Sequence, residues 1–239
     1  MRQAHRTATP VFALLFMLFV APASALSLNK SIRIAAGNNV GAQSSVNGSI
    51  TVGAGAVIDG SLETVNGSIR VDENVTLGDA ETVNGTIRIG SGSSVGDISS
   101  VNGAIRLAEN VTVGGEIDVV NGEIVLDRGT RVSDGVSNVN GAIELRSAQV
   151  GGNLTTVNGD VSLHAGSILR GDLVVEKPGG WFSHDLRKPR IVIGPHSTVE
   201  GHIVLDREVE LFISESARVG GVSGEMSLDD AVRFSGDRP

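Results

Sequence analysis

The chain is expected to be all-β: a single parallel β-solenoid (β-helix) of about ten coils. Three observations predict it. The triplet Val-Asn-Gly begins at Val46, Val65, Val83, Val101, Val120, Val139 and Val157, in steps of 18 or 19 residues. A fixed short period means one structural unit stacked many times. Two wholly aliphatic columns then follow each triplet. Four residues after its Val come Ile50, Ile69, Ile87, Ile105, Ile124, Ile143 and Val161; two further on come Val52, Val71, Ile89, Leu107, Leu126, Leu145 and Leu163. The residues between them (Thr51, Arg70, Arg88, Arg106, Val125, Glu144 and Ser162) are mostly polar, which is the alternation of a half-buried strand. Finally, no unit offers the apolar spacing of three and four over ten or more residues that a helix needs.

Residues 1–25 fall outside the repeat. Arg2, His5 and Arg6 form a basic start, an apolar run from Val11 to Val20 follows, and Ala23-Ser24-Ala25 supplies small residues for cleavage. This is the pattern of a secretory signal peptide, and the run is short for a membrane span. A periplasmic or secreted protein is therefore expected, with no integral membrane segment after cleavage. Removing the segment deletes two arginines and no acid, so the formal net charge of −8 becomes about −10. Such a balance argues against nucleic-acid binding and against bulk-charge docking on anionic lipid. There is no Cys, hence no disulfide framework and no lipid-anchored amino-terminal Cys.

The solenoid domain is expected over residues 26–224, with Leu28-Asn29-Lys30 as a degenerate first copy of the triplet. Each coil carries about three short strands. A third aliphatic position recurs at Val95, Val113, Val132 and Leu169, and Ile98, Ile117, Val136 and Leu154 add an inward residue before the next triplet. Gly, Asn, Asp and Ser between the strands suit corners. Asn47, Asn66, Asn84, Asn102, Asn121, Asn140 and Asn158 are expected to stack as a structural ladder bonded along the axis. Gly follows each because the tight corner leaves no room for a Cβ. Ten coils at about 4.8 Å give a rod about 48 Å long.

The triplet is lost after residue 174, but paired aliphatics resume at Ile191 and Ile193 and again at Val209 and Leu211. Residues 176–190, EKPGGWFSHDLRKPR, are expected to bulge from one corner as a loop insertion. Residues 225–239 form a cap and tail, with Ser227 as N-cap of a short C-terminal helix over Ser227 to Phe234.

Candidate binding residues fall in two groups. Trp181, Phe182, Phe212 and Phe234 are the aromatics outside the leader. Trp181 and Phe182, with His184, Arg187, Lys188 and Arg190, either form an aromatic and basic contact surface or fold onto the solenoid flank with the basic groups in water. Phe212 and Phe234 are expected to pack together under the end cap. Arg70, Arg88 and Arg106 share an outward column with Arg33. Their charges are met by solvent, by acids at Glu63, Glu81 and Asp118 on a neighbouring face, or by a bound polyanion.

Catalysis is not expected. Glycan-cleaving solenoids need clustered carboxylates at consistent separation, whereas the positions after the paired aliphatics alternate among Asp72, Gly90, Ala108, Asp127, Arg146 and His164. His164, His184, His196 and His202 are too dispersed for a metal site, so no metal or cofactor is expected. An acyltransferase built on hexapeptide repeats would share the 18-residue coil, but it belongs where acyl donors are made, and the leader opposes that.

The run written VNGSIRV, VNGTIRIG and VNGAIRL, with intervening SVG and TVGG, resembles bacterial β-solenoid repeat proteins. It is similar to bactofilins, the polymer-forming cytoskeletal proteins, and to adhesin head-domain solenoids, over about residues 28–224. The resemblance implies the fold and supplies no catalytic motif. Bactofilins join end to end, usually on the cytoplasmic side; the leader, the loop and the end cap depart from them. The expected function is thus an exported non-enzymatic structural or binding protein of the bacterial envelope, presenting regular faces to a protein or polysaccharide partner. The alternatives are a glycan-active β-helix enzyme and a self-assembling envelope polymer.

Overall fold

The computed structural model describes residues 25–179 and 187–239 and is a parallel β-solenoid of about ten turns. Three parallel sheets run the length of the rod, two of 11 strands and one of 7. One coil illustrates all of them. Ile98–Asn102 belongs to the first sheet, Ile105–Leu107 to the second, and Thr112–Val113 to the third. The next coil repeats them one period on, pairing Ile98 with Ile117, Ile105 with Ile124 and Val113 with Val132.

Side-chain alternation makes these strands. In Ile105–Leu107 the two aliphatics are fully buried and Arg106 between them is exposed. The same inward column runs through Ile50, Ile69, Ile87, Ile105, Ile124, Ile143, Val161, Ile191 and Leu211, all buried. The centre is therefore aliphatic with all three walls paired coil to coil, the arrangement that suits parallel sheets.

The triplet sits at the corner between the first and second sheets. Each Asn donates its Nδ2 to the Oδ1 of the Asn one coil below, at 2.8–3.0 Å from Asn66 to Asn158. Asn47 donates likewise to Asn29 at 2.7 Å, so the degenerate first triplet joins the ladder. The glycine column is set by close approach. A Cβ on Gly67, Gly85, Gly103, Gly122, Gly141 or Gly159 would lie under 3.0 Å from the carbonyl oxygen of the triplet glycine one coil below. Only Gly141 of these adopts positive φ, so stacking rather than turn conformation excludes other residues.

A second corner column was not anticipated. The residue before each triplet is inward and often polar: Thr64 and Thr82 donate to the carbonyls of Gly48 and Gly67 at 2.9 and 3.0 Å, and Asn138 donates to that of Gly122 at 2.8 Å. Backbone carbonyls drawn into the corner thus find partners. The signal was visible as Ser45, Thr64, Thr82, Ser100, Asn138 and Thr156 at one repeat position.

The insertion leaves from this same corner. Val161 pairs with Ile143 on one side and Ile191 on the other, so 30 residues separate the second pair where 18 separate the first. The end of the rod differs from the expected helix. A single 3₁₀ turn spans Leu228–Asp230, and Val232–Phe234 then adds a last strand beside Phe212–Ser214. A sheet edge offering backbone partners outcompetes a helix too short to be stable alone. Asp230 accepts from the backbone N–H and the hydroxyl of Ser227, both at 2.8 Å, which closes the turn. Phe212 and Phe234 part company: Phe234 is buried, whereas Phe212 faces outward with the Arg190 guanidinium 4.8 Å from its ring centre.

Candidate functional site

The outward column of the second sheet carries the arginines. Strand register places Arg70, Arg88 and Arg106 directly above one another, with Val125 and Glu144 continuing the column. Beside it, the corner after the second-sheet strands carries the small residues Ala54, Gly90 and Ala108 in three of the coils. An open groove of about 480 Å³ results. Arginines form one wall, Gly90, Ser91 and Ala108 line its middle, Asp72 and Glu73 stand on the coil below Gly90, and Asp127 stands at the far end.

The charges along this wall are unequally matched. Arg70 lies 3.8 Å from Asp72, and Arg106 lies 2.6 Å from Glu123. Arg146 pairs with Glu144 at 2.6 Å and with Asp127 at 3.1 Å. The hydrogen bonds from Arg146 hold the Glu144 carboxyl below its ordinary range, against the opposing effect of burial. Val125 points outward yet is only 5 % exposed, with Arg106 and Glu144 as its register partners on either side. Among the described residues, Arg88 alone of the three stacked arginines has no carboxylate within ion-pair reach.

The counter-charges are not the expected ones. Glu63 and Glu81 are register neighbours on the outward side of the first sheet, with Asp118 further along the same column. They crowd one another instead of meeting the arginines. Partial desolvation pushes the Glu81 carboxyl up, and Glu63, Asp79 and Asp97 push it further. Asp118 does the same to Glu116, foremost among its causes. The triplet corner separates the two faces, so the acids that serve the arginines are Asp72 and Glu123, from the second-sheet side.

Trp181, Phe182 and His184 lie outside the described residues. The basic residues at the return of the insertion are tied to the rod. Arg187 donates to both oxygens of Asp160 at 2.9 Å, and the Arg190 backbone N–H donates to the same carboxylate at 2.7 Å. Lys188 pairs with Glu208 at 2.6 Å, and Arg190 lies over Phe212. Arg187, Lys188 and Arg190 thus each have their own partner rather than forming a free basic cluster, and they stay exposed to solvent.

Sequence reasoning missed Arg207. Counting from the pairing of Leu205 with Val175 and of Val175 with Thr156, Arg207 holds the ladder position two coils above Asn158. It reaches back across the insertion coil, donating to Asn158 Oδ1 at 2.9 Å and to the Val157 carbonyl at 3.3 Å. Its other terminal nitrogen donates to the Arg187 carbonyl at 3.3 Å. Every amide in the ladder points its oxygen toward this end, so a guanidinium is the complementary cap. Numbering coils through the insertion was the signal that could have found it.

Among the described residues no three His, Asp or Glu side chains are arranged to hold a metal, and no helix is long and apolar enough to cross a membrane. Burial, foremost among its causes, pushes the His164 imidazole down. No family model, curated protein or solved structure matches the chain.

Proposed function

We propose that this protein is an exported, non-enzymatic rod of the bacterial envelope that presents a regular β-solenoid face to a protein or polysaccharide partner. The observation that carries this reading is the groove along Arg70, Arg88 and Arg106, a linear surface built by the repeat itself. A repeated face contacts an extended partner at equivalent points in successive coils, which suits concave and linear recognition by solenoids in general. The leader pattern of residues 1–25 supports export to the periplasm or beyond. The resemblance to bactofilins and adhesin head-domain solenoids supports a structural or binding role.

Expression of the full chain with a carboxy-terminal tag, followed by cell fractionation and intact mass measurement, tests the location. The processed protein should begin at Leu26 and leave the cytoplasm. Cosedimentation of the purified rod with insoluble envelope polysaccharide, or with envelope protein complexes, tests the role. Unprocessed protein retained in the cytoplasm overturns the envelope reading.

A further inference from the structure

The arginine column poses a problem that the chain solves at two of three positions. Three arginines stacked coil on coil stand on strands about 4.8 Å apart, and their like charges repel one another. Asp72 relieves Arg70 and Glu123 relieves Arg106, one at each end. Arg88, exposed in the middle, is left facing the groove without an acid. Next to it Gly90 and Ser91 line the floor of the open groove, and no long side chain of their coil covers it.

We infer that the groove is a saccharide-binding site, and that its ligand is a linear glycan bearing one carboxylate-substituted sugar flanked by neutral sugars. This rests on the reading above that the second-sheet face is the partner-facing one. Five coils line the groove, so it runs roughly 19 Å at about 4.8 Å per coil. An extended pyranose chain advances by a similar distance per sugar, which sets about three or four sugars along it. The charge pattern selects among glycans. The unpaired Arg88 is a fork of donors that matches a carboxylate in bidentate fashion. Asp72 and Glu73 on the coil below Arg88, and Asp127 two coils above it, would repel further ligand anions, but they accept hydrogen bonds from neutral-sugar hydroxyls. A uniformly charged polyanion therefore fits worse than an alternating one. A second copy of the rod fits worse still, because its crowded acids present several carboxylates in successive coils rather than one. No aromatic residue lines the groove, so stacking contributes nothing and affinity comes from the Arg88 contact and from repeated hydroxyl contacts.

Calorimetric titration of the full rod with short oligosaccharides tests the inference. The probe is a trisaccharide with glucuronate between two N-acetylglucosamines; the comparison is the all-neutral N-acetylglucosamine trimer. Binding of the first and at least tenfold weaker binding of the second are expected. Arg88→Gln should weaken the acidic trisaccharide at least about tenfold, the loss of one charge-assisted pair, with Arg88→Lys in between. Arg33→Gln, on the same column but outside the groove, should bind as the parent does. Both exposed substitutions should leave the circular dichroism spectrum unchanged. Equal binding of the two trisaccharides, or parental binding by Arg88→Gln, overturns the inference. If neither trisaccharide binds while envelope polysaccharide still sediments the rod, this inference falls and the broader reading stands; if nothing binds or sediments it, both fall. If Arg88→Gln instead dissolves an association between rods in sedimentation velocity, the groove is an interface between copies and the saccharide site is refuted.

Discussion

Asn102 and Gly103 are neighbours in one triplet with unequal burdens. Asn102 donates to Asn84 and accepts from Asn121, both at 3.0 Å, but its side chain is exposed. Asn102→Ala should therefore cost about 0.5–1.5 kcal/mol, because water replaces the lost bonds. Gly103→Ala brings a Cβ against the Gly85 carbonyl, backbone that is itself pinned by its neighbours. It should cost about 1–3 kcal/mol by overpacking, and denaturant midpoints of the two variants should fall in that order. Glu81 offers a test with the opposite sign. Its carboxyl is raised by desolvation and by Glu63, Asp79 and Asp97. The folded state therefore binds the proton more tightly than the unfolded chain does, and stability falls as pH rises through the carboxylate range. Glu81→Gln should raise the melting temperature slightly at pH 7 and leave it unchanged well below pH 4. The side chain is exposed overall, which keeps the effect small. A melting temperature lowered at pH 7 would count against mutual repulsion on this face.

The insertion behaves as an appendage stitched to a continuous rod. Val161 pairs directly with Ile191, and Leu173 with Ile203, so the sheets continue from coil to coil across the insertion. Deleting Pro178 to Lys188 should preserve the β-rich circular dichroism spectrum. It removes the exposed Arg187–Asp160 and Lys188–Glu208 pairs, each worth about 0–1 kcal/mol. Arg207→Ala should cost more than either pair, since one side chain caps the ladder, bonds the Val157 carbonyl and holds the Arg187 carbonyl. The two changes should be non-additive, because the deletion also takes away the Arg187 carbonyl that Arg207 binds. Loss of the β spectrum on deletion would show that residues 178–188 are needed to close the coil.

Across the whole rod each coil contacts its neighbours above and below, so stability is a chain of nearest-neighbour interfaces. Ile105 sits in the middle of the aliphatic column between Ile87 and Ile124 and is fully buried. Ile105→Ala should cost about 2–5 kcal/mol through the cavity it opens. Because every coil leans on the next, the damage should spread axially. Hydrogen exchange should accelerate for the amides of Ile87–Ile89 and Ile124–Leu126 well before those of the distant Ile203–Leu205. Uniform acceleration along the chain would mean that the rod unfolds as one unit. The two long faces differ in charge character: the second-sheet face pairs Arg70, Arg106 and Arg146 with acids, whereas the first-sheet side crowds Glu63, Glu81, Asp97, Glu116 and Asp118.

The coil period, the strands, the aliphatic columns and the Asn ladder were all legible in the sequence. Each is a property repeated in every coil, and repetition turns a local pattern of apolar and small residues into an architecture. The triplet glycine was legible for the same reason, since the same close approach recurs at each coil. What the tertiary structure alone decided are the features that occur once. Arg70 and Arg106 find Asp72 and Glu123 because side chains reach around their own corner, while Glu63 and Glu81 lie across the triplet corner on another sheet. Arg207 caps the ladder because the insertion interrupts the Asn column and a long side chain spans the gap. Val232–Phe234 becomes a strand because an unpaired sheet edge waits there. Long charged side chains, an interrupted ladder and a free edge are settled by what happens to stand within reach, and reach is a property of the stacked rod rather than of the residue order.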